Sequence, residues 1–104
     1  MNARQQQAAQ SLLGIAQRAG KAVSGDTALV AGLRRGEGEL LILATDCAKN
    51  NRERYTHLAD REGIRLCSFG TKSSLGAAIG KAQRAAVLVT DKGLADAIIA
   101  KTKE

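Results

Sequence analysis

The stretch ELLILAT, residues 39–45, decides the fold. It is an unbroken apolar run of strand length with no polar alternation, which predicts a strand covered on both faces. AAVLVT, residues 85–90, repeats the pattern, and IRLCSF, residues 64–69, supplies a further strand. Between these runs lie segments with helical spacing. Residues 5–19 place Leu12, Ile15, Ala16 and Ala19 on one stripe, with Gly20 as the stop. Residues 21–24 have room only for a short strand, after which Ser24 or Asp26 begins a helix through Leu29, Val30 and Leu33 that closes at Gly36. Asp46 to Glu62 reads as a third helix burying Tyr55, Leu58 and Ala59. Thr71 or Ser73 caps a short fourth through Leu75, Ala78 and Ile79. Thr90 or Asp91 caps the last, carrying Leu94, Ala97 and Ile98. Helices alternating with buried strands predict an α/β fold, a three-layer α-β-α sandwich around a small, largely parallel or mixed sheet.

A chain of 104 residues predicts one domain, residues 1–104, with a modest core. No apolar run approaches the roughly 20 residues that span a bilayer, and MNARQQQAAQ lacks the apolar segment of a secretory leader, so a cytoplasmic protein without membrane contact is expected. Cys47 and Cys67 lie far apart in or beside apolar runs and read as buried structural thiols. The single histidine, His57, falls mid-helix among Arg52, Arg54 and Arg61, so no metal site and no nucleophile–base pair is expected.

Sixteen basic against ten acidic residues give a net charge of +6, which favours a polyanion such as RNA as partner. Tyr55 and Phe69 are the only aromatics, so the chain offers no platform for stacking bases. Any RNA would be recognised through backbone, shape and base edges. RAGKAVSGDT, residues 18–27, has the small residues and fixed charge of a phosphate-binding turn, but not those of a nucleotide loop. From Gly14 to Gly20-Lys21 the spacing is one residue too long for the Walker pattern, and from Gly76 to Gly80-Lys81 one too short. Ala22 and Ala82 stand where the magnesium-holding hydroxyl belongs. No cofactor and no catalysis are expected. On sheets of this kind ligands meet strand ends and helix starts, here Ser24–Thr27, Asp46–Asn50, Gly70–Ser73 and Thr90–Lys92.

Taken in order, LLGIAQRAGKAVSGDTALVAGLRRG (12–36), LLILATDCAKN (40–50), SFGTKSSLGAAIGK (68–81) and AAVLVTDKGLADAI (85–98) resemble the small YlxQ-type bacterial members of the kink-turn-binding ribosomal-protein superfamily. The archaeal "L-seven-Ae" and eukaryotic "L-thirty-e" ribosomal proteins belong to the same superfamily. The resemblance implies a four-stranded mixed sheet and RNA binding at one end of the sandwich, with structured or ribosomal RNA and translation-related proteins as partners. In better-known relatives the turn after the first strand reads Gly-x-Asn-Glu, with a lysine three residues on. The Asn and Glu read guanine edges of sheared G·A pairs. A second loop, following Leu-Gly-x-Ala-x-Gly, covers an extruded nucleotide. In this sequence Gly25 matches the first glycine, and Leu75, Gly76, Ala78 and Gly80 match the second motif. Thr27, Ala28 and Ala31 occupy the Asn, Glu and Lys positions. The expected interface is therefore Arg18, Lys21, Ser24, Gly25, Asp26, Thr27, Lys72, Leu75, Gly76, Gly80, Lys81 and Arg84, held mainly by backbone contacts.

Overall fold

Leu40, Leu41, Ile42 and Leu43 form a strand, β2 (Leu40–Leu43), and all four side chains are buried in the computed structural model, which describes residues 1–103. Successive strand side chains point to opposite faces, so burial of all four requires a layer on each side. Leu40 and Ile42 face a cluster with Ala9, Leu13, Leu75, Val87, Val89 and Ile98, while Leu41 and Leu43 face Leu29, Leu33, Tyr55, Leu58 and Leu88. Burying each such aliphatic side chain contributes about 1.5–3 kcal/mol relative to leaving it in water. The two leucine-rich faces thus build the three-layer sandwich expected from the run.

The remaining described elements are α1 (Ala3–Arg18), β1 (Ala22–Ser24), α2 (Asp26–Arg34), α3 (Lys49–Arg61), β3 (Arg65–Ser68), α4 (Lys72–Ala78), β4 (Ala86–Val89) and α5 (Lys92–Thr102). Strand order is β1-β4-β2-β3. β4 runs antiparallel to both of its neighbours, and β2 and β3 form the one parallel pair among the described strands. The sheet is mixed, with α1, α4 and α5 on one face and α2 and α3 on the other.

Several boundaries depart from the sequence reading for local reasons. α1 starts before residue 5 because Asn2 and Gln5 form a reciprocal capping box, the Gln5 N–H donating to Asn2 Oδ1 at 2.8 Å and the Asn2 N–H to Gln5 Oε1 at 2.7 Å. Its buried stripe is Ala9, Leu13 and Ala16. Ile15, about half a turn away from Leu13, is 43% exposed, and Ala19 lies outside the helix and is exposed. α3 begins at Lys49, three residues later than expected, because Asp46 is used elsewhere: its Oδ1 accepts the Lys72 N–H at 2.8 Å and so ties the β2–α3 turn to the start of α4. Thr71 caps α4 and Asp91 caps α5, each accepting from the amide three residues on. β3 is an edge strand, which leaves Leu66 41% exposed.

Cys47 is buried and Cys67 partly so, and both are free thiols. Burial pushes the Cys67 thiol up to about 12, so it stays protonated and unreactive at neutral pH. No described helix is long and apolar enough to cross a membrane.

Candidate functional site

Register and topology bring the segments after β1, β2 and β3 to one end of the sheet. Ser24 pairs with Val87, and Leu43 pairs with both Ala86 and Ser68. The turns Ser24–Thr27, Asp46–Asn50 and Gly70–Ser73 therefore cluster beside the approach to β4. Thr90–Lys92 does not join them, because β4 is antiparallel and ends at the opposite edge. There Thr90 donates its N–H to the Lys21 carbonyl at 2.9 Å, which places Lys21 at the far end of β1 from Ser24. Three strand residues at about 3.3 Å each separate the two ends. Arg34 and Arg35 lie at the C-terminal end of α2, and Arg35 pairs with Glu37.

Gly25 turns the chain from β1 into α2 with φ +86°, a conformation that disfavours any side chain. It accepts the Leu29 N–H at 2.9 Å but brings no capping side chain, so the first amides of α2 face outward with the positive end of the helix dipole. Thr27 and Ala28, in that first turn, are both exposed.

Asp26, the first helical residue, is held from α3. Its Oδ1 accepts from the Arg54 guanidinium and, at 2.7 Å, from the Tyr55 hydroxyl, while Arg54 lies over the Tyr55 ring at 4.9 Å from the centroid. The hydrogen bond from Arg54, then that from Tyr55, holds the Asp26 carboxyl below the usual carboxylate range. A depressed folded-state value means that the link's contribution is complete above the ordinary value near 3.8 and is lost only as pH falls through the folded one. Tyr55 moves the other way. Burial first, and then the bond to Asp26, pushes its phenol up to about 12. Tyr55 is the only tyrosine, so tyrosinate absorbance reports on it alone. Titration should give a midpoint near 12, and Asp26→Ala should lower it only partway towards 10, because burial remains. A phenol that titrates normally in the folded wild type would contradict this arrangement.

On the other side of the turn, Arg84 donates from Nε to Ser24 Oγ at 3.1 Å and from Nη1 to the carbonyls of Gln83 and Ala82 at 3.0 and 3.3 Å. The Arg84 N–H reaches the Lys72 carbonyl at 3.0 Å and the Lys81 N–H reaches the Gly76 carbonyl at 2.8 Å, so the segment after α4 folds back along that helix. A groove of about 230 Å³ runs between the turn and this segment, lined by Gly25, Asp26, Tyr55, Gln83 and Arg84.

Of the expected interface residues, Ser24, Gly25, Asp26, Thr27, Lys72 and Arg84 gather at this end of the sheet, with Gly80 and Lys81 exposed at the bend of the folded-back loop. Leu75 and Gly76 are buried and support that loop from beneath. Arg18 lies between α1 and α4, and Lys21 at the opposite edge. Arg54, Tyr55 and Gln83 join the site although the sequence reading assigned them elsewhere or passed over them. The available signal was Tyr55 itself, since a buried phenol needs a hydrogen-bond partner. Among the described residues no group of three or more His, Cys, Asp or Glu side chains could hold a metal.

Residues 7–99 match the ribosomal protein L7Ae/L30e/S12e/Gadd45 family. The chain is 33% identical over 88 residues to the RNA-binding protein YlxQ of Bacillus subtilis (strain 168), covering 85% of this chain and 88% of the relative. It is 27% identical over 104 residues to the RNA-binding protein YlxQ of Enterococcus faecium, covering 100% and 96%. A solved Bacillus halodurans protein of unknown function superposes with a TM-score of 0.87 at 29% identity, over 92% of this chain and 97% of that one. The Giardia lamblia 15.5kD RNA binding protein has the same fold, with a TM-score of 0.78 at 17% identity over 97% and 87% of the two chains. The chain is a YlxQ-like member of the ribosomal protein L7Ae/L30e/S12e/Gadd45 family.

Proposed function

We propose that this chain is a non-catalytic, cytoplasmic, ribosome-associated RNA-binding protein that grips structured, kink-turn-like RNA mainly through the RNA's phosphate backbone. The family, the names of the YlxQ relatives and the net charge of +6 support RNA as the partner. One observation carries the mode of binding. The uncapped N-terminus of α2 opens beside Arg84 and Arg54, while the exposed positions 27 and 28 carry only a threonine and an alanine. Outward amides and guanidinium groups suit phosphate oxygens, whereas base edges would need longer polar side chains at 27 and 28. Asp26 is tied to Arg54 and Tyr55 and fixes the turn.

Charge reversal tests the placement. Lys72→Glu with Arg84→Glu should weaken binding to a kink-containing RNA by about tenfold or more and lower the salt slope by about two. Lys21→Glu, at the opposite edge, should change affinity far less. Equal losses per reversed charge in the two variants would show attraction by overall charge and remove the assignment.

A second reading draws on Asp26 and Ala28: a carboxylate in the turn and a missing side chain beside it also suit a protein-interaction module of the same fold. Purification from its own cells free of nucleic acid, with a bound protein instead, would favour that reading.

A further inference from the structure

We propose that the groove between α1 and α4 is a second RNA contact, one that holds the phosphate backbone of a stem flanking the site at the β1–α2 turn. The inference rests on the RNA reading above and extends it to a surface on the other side of α4. The groove is the larger of the two, about 450 Å³. α1 contributes Gln7, Gln10, Ser11 and Arg18, and α4 contributes Ser74 and Ala77. The side-chain amides of Gln7 and Gln10, the Ser11 hydroxyl and the Arg18 guanidinium at one end are hydrogen-bond donors suited to phosphate and ribose oxygens, while the Ser74 hydroxyl is held in the α4 capping box with Thr71.

Charge selects the occupant. Residues 1–25 and 63–90, which supply every wall of the groove, contain no aspartate or glutamate but carry Arg4, Arg18, Lys21, Arg65, Lys72, Lys81 and Arg84. Arg18 is exposed and has no hydrogen-bond or ion-pair partner among the described residues. α5, the other helix against α1, adds no free carboxylate near this charge, since Asp96 is engaged by Arg65 and Lys92 at 2.7 and 2.8 Å and Asp91 caps its own helix. An unpaired cation in a groove whose lining carries no carboxylate attracts a polyanion at longer range than a paired one does.

Continuity points the same way. The α4 helix walls this groove with Ser74 and Ala77, and the loop that leaves it walls the first groove with Gln83 and Arg84. The bend at Gly80-Lys81 lies between the two sets of residues, exposed and cationic. A stem leaving the α2 N-terminus can cross that bend and lay a strand along α1. Gly14 permits the close approach of the two helices, as a Cβ there would stand 3.1 Å from the Ala78 carbonyl oxygen.

The test compares two RNAs, a kink-containing hairpin with minimal stems and the same hairpin with one stem lengthened by a helical turn. The longer RNA should bind the wild-type protein about five- to tenfold more tightly, with a steeper salt dependence. Arg18→Glu and Ala77→Glu, both at exposed positions in the groove, should each abolish that gain while weakening binding of the minimal hairpin no more than Lys21→Glu does. No gain on lengthening, or a gain that persists in both variants, overturns the proposal and leaves the RNA reading standing. Failure of the wild type to bind either RNA sinks both together. Binding of poly-glutamate that both variants lose would reassign the groove to an acidic protein.

Discussion

Placing long polar side chains at the turn, as Thr27→Asn, Ala28→Glu and Ala31→Lys together, should add base discrimination to the proposed backbone grip. Thr27 and Ala28 are exposed in the first turn of α2 and Ala31 is half-buried one turn on, so the new side chains extend into solvent without displacing the core. Stability should stay within about 0.5 kcal/mol, as for most surface substitutions. Each base-edge pairing is worth about 1–3 kcal/mol of discrimination. The changes at positions 27 and 28 together would therefore raise the preference for sheared G·A pairs over a plain duplex by roughly 30-fold or more. The lysine should steepen the salt slope by about one without adding discrimination. Competition binding with a kink-containing RNA and its base-substituted control measures the change directly. An unchanged preference would mean that base edges do not lie against this turn.

Gly76→Ala should have the largest effect on the folded state. A Cβ at position 76 would stand 2.0 Å from the Ala82 carbonyl oxygen and 2.7 Å from its carbon, distances that no side-chain rotation relieves because both are backbone atoms. α4 or the folded-back loop has to move. Overpacking of this severity costs about 3 kcal/mol, the upper end of the usual range. The loop that is displaced carries Lys81, Gln83 and Arg84, so RNA affinity should fall along with stability. A melting curve and a binding isotherm on the same preparation check both. A variant that loses affinity but keeps its melting temperature would show that the loop can shift without strain. A variant that loses neither would contradict the close packing of Gly76 on Ala82.

The sandwich was legible because ELLILAT and AAVLVT are apolar runs of strand length set between helical stripes, as strands buried on both faces require. The alternation of Leu40 and Ile42 with Leu41 and Leu43 between two helical layers follows from the period of the strand alone. The order of the edge strands was not legible from periodicity. Nothing in Ala22–Ser24 announces that it pairs antiparallel with β4, and that pairing sends Thr90–Lys92 and Lys21 to the opposite end from Gly25. The turn itself was readable from its glycine and its place before a helical stripe. Its hydrogen-bonding partners were not, because Arg54 and Tyr55 come from a helix 28 and 29 residues further along. Asp46 misled for a similar reason. A carboxylate after a strand is a natural cap for the next helix, but here it serves the start of α4 across the sheet.

In the proposed mode, phosphates rather than bases carry the recognition at the α2 N-terminus. Binding of the wild-type protein to a kink-containing RNA, to the same RNA with its sheared pairs replaced, and to a duplex of equal length should be measured across a range of salt concentrations. Affinity for both kinked RNAs should exceed that for the duplex, fall steeply with salt, and differ little between the two kinked sequences. Salt-insensitive binding, or a marked preference for the RNA that keeps its sheared pairs over the one in which they are replaced, would contradict recognition by phosphates.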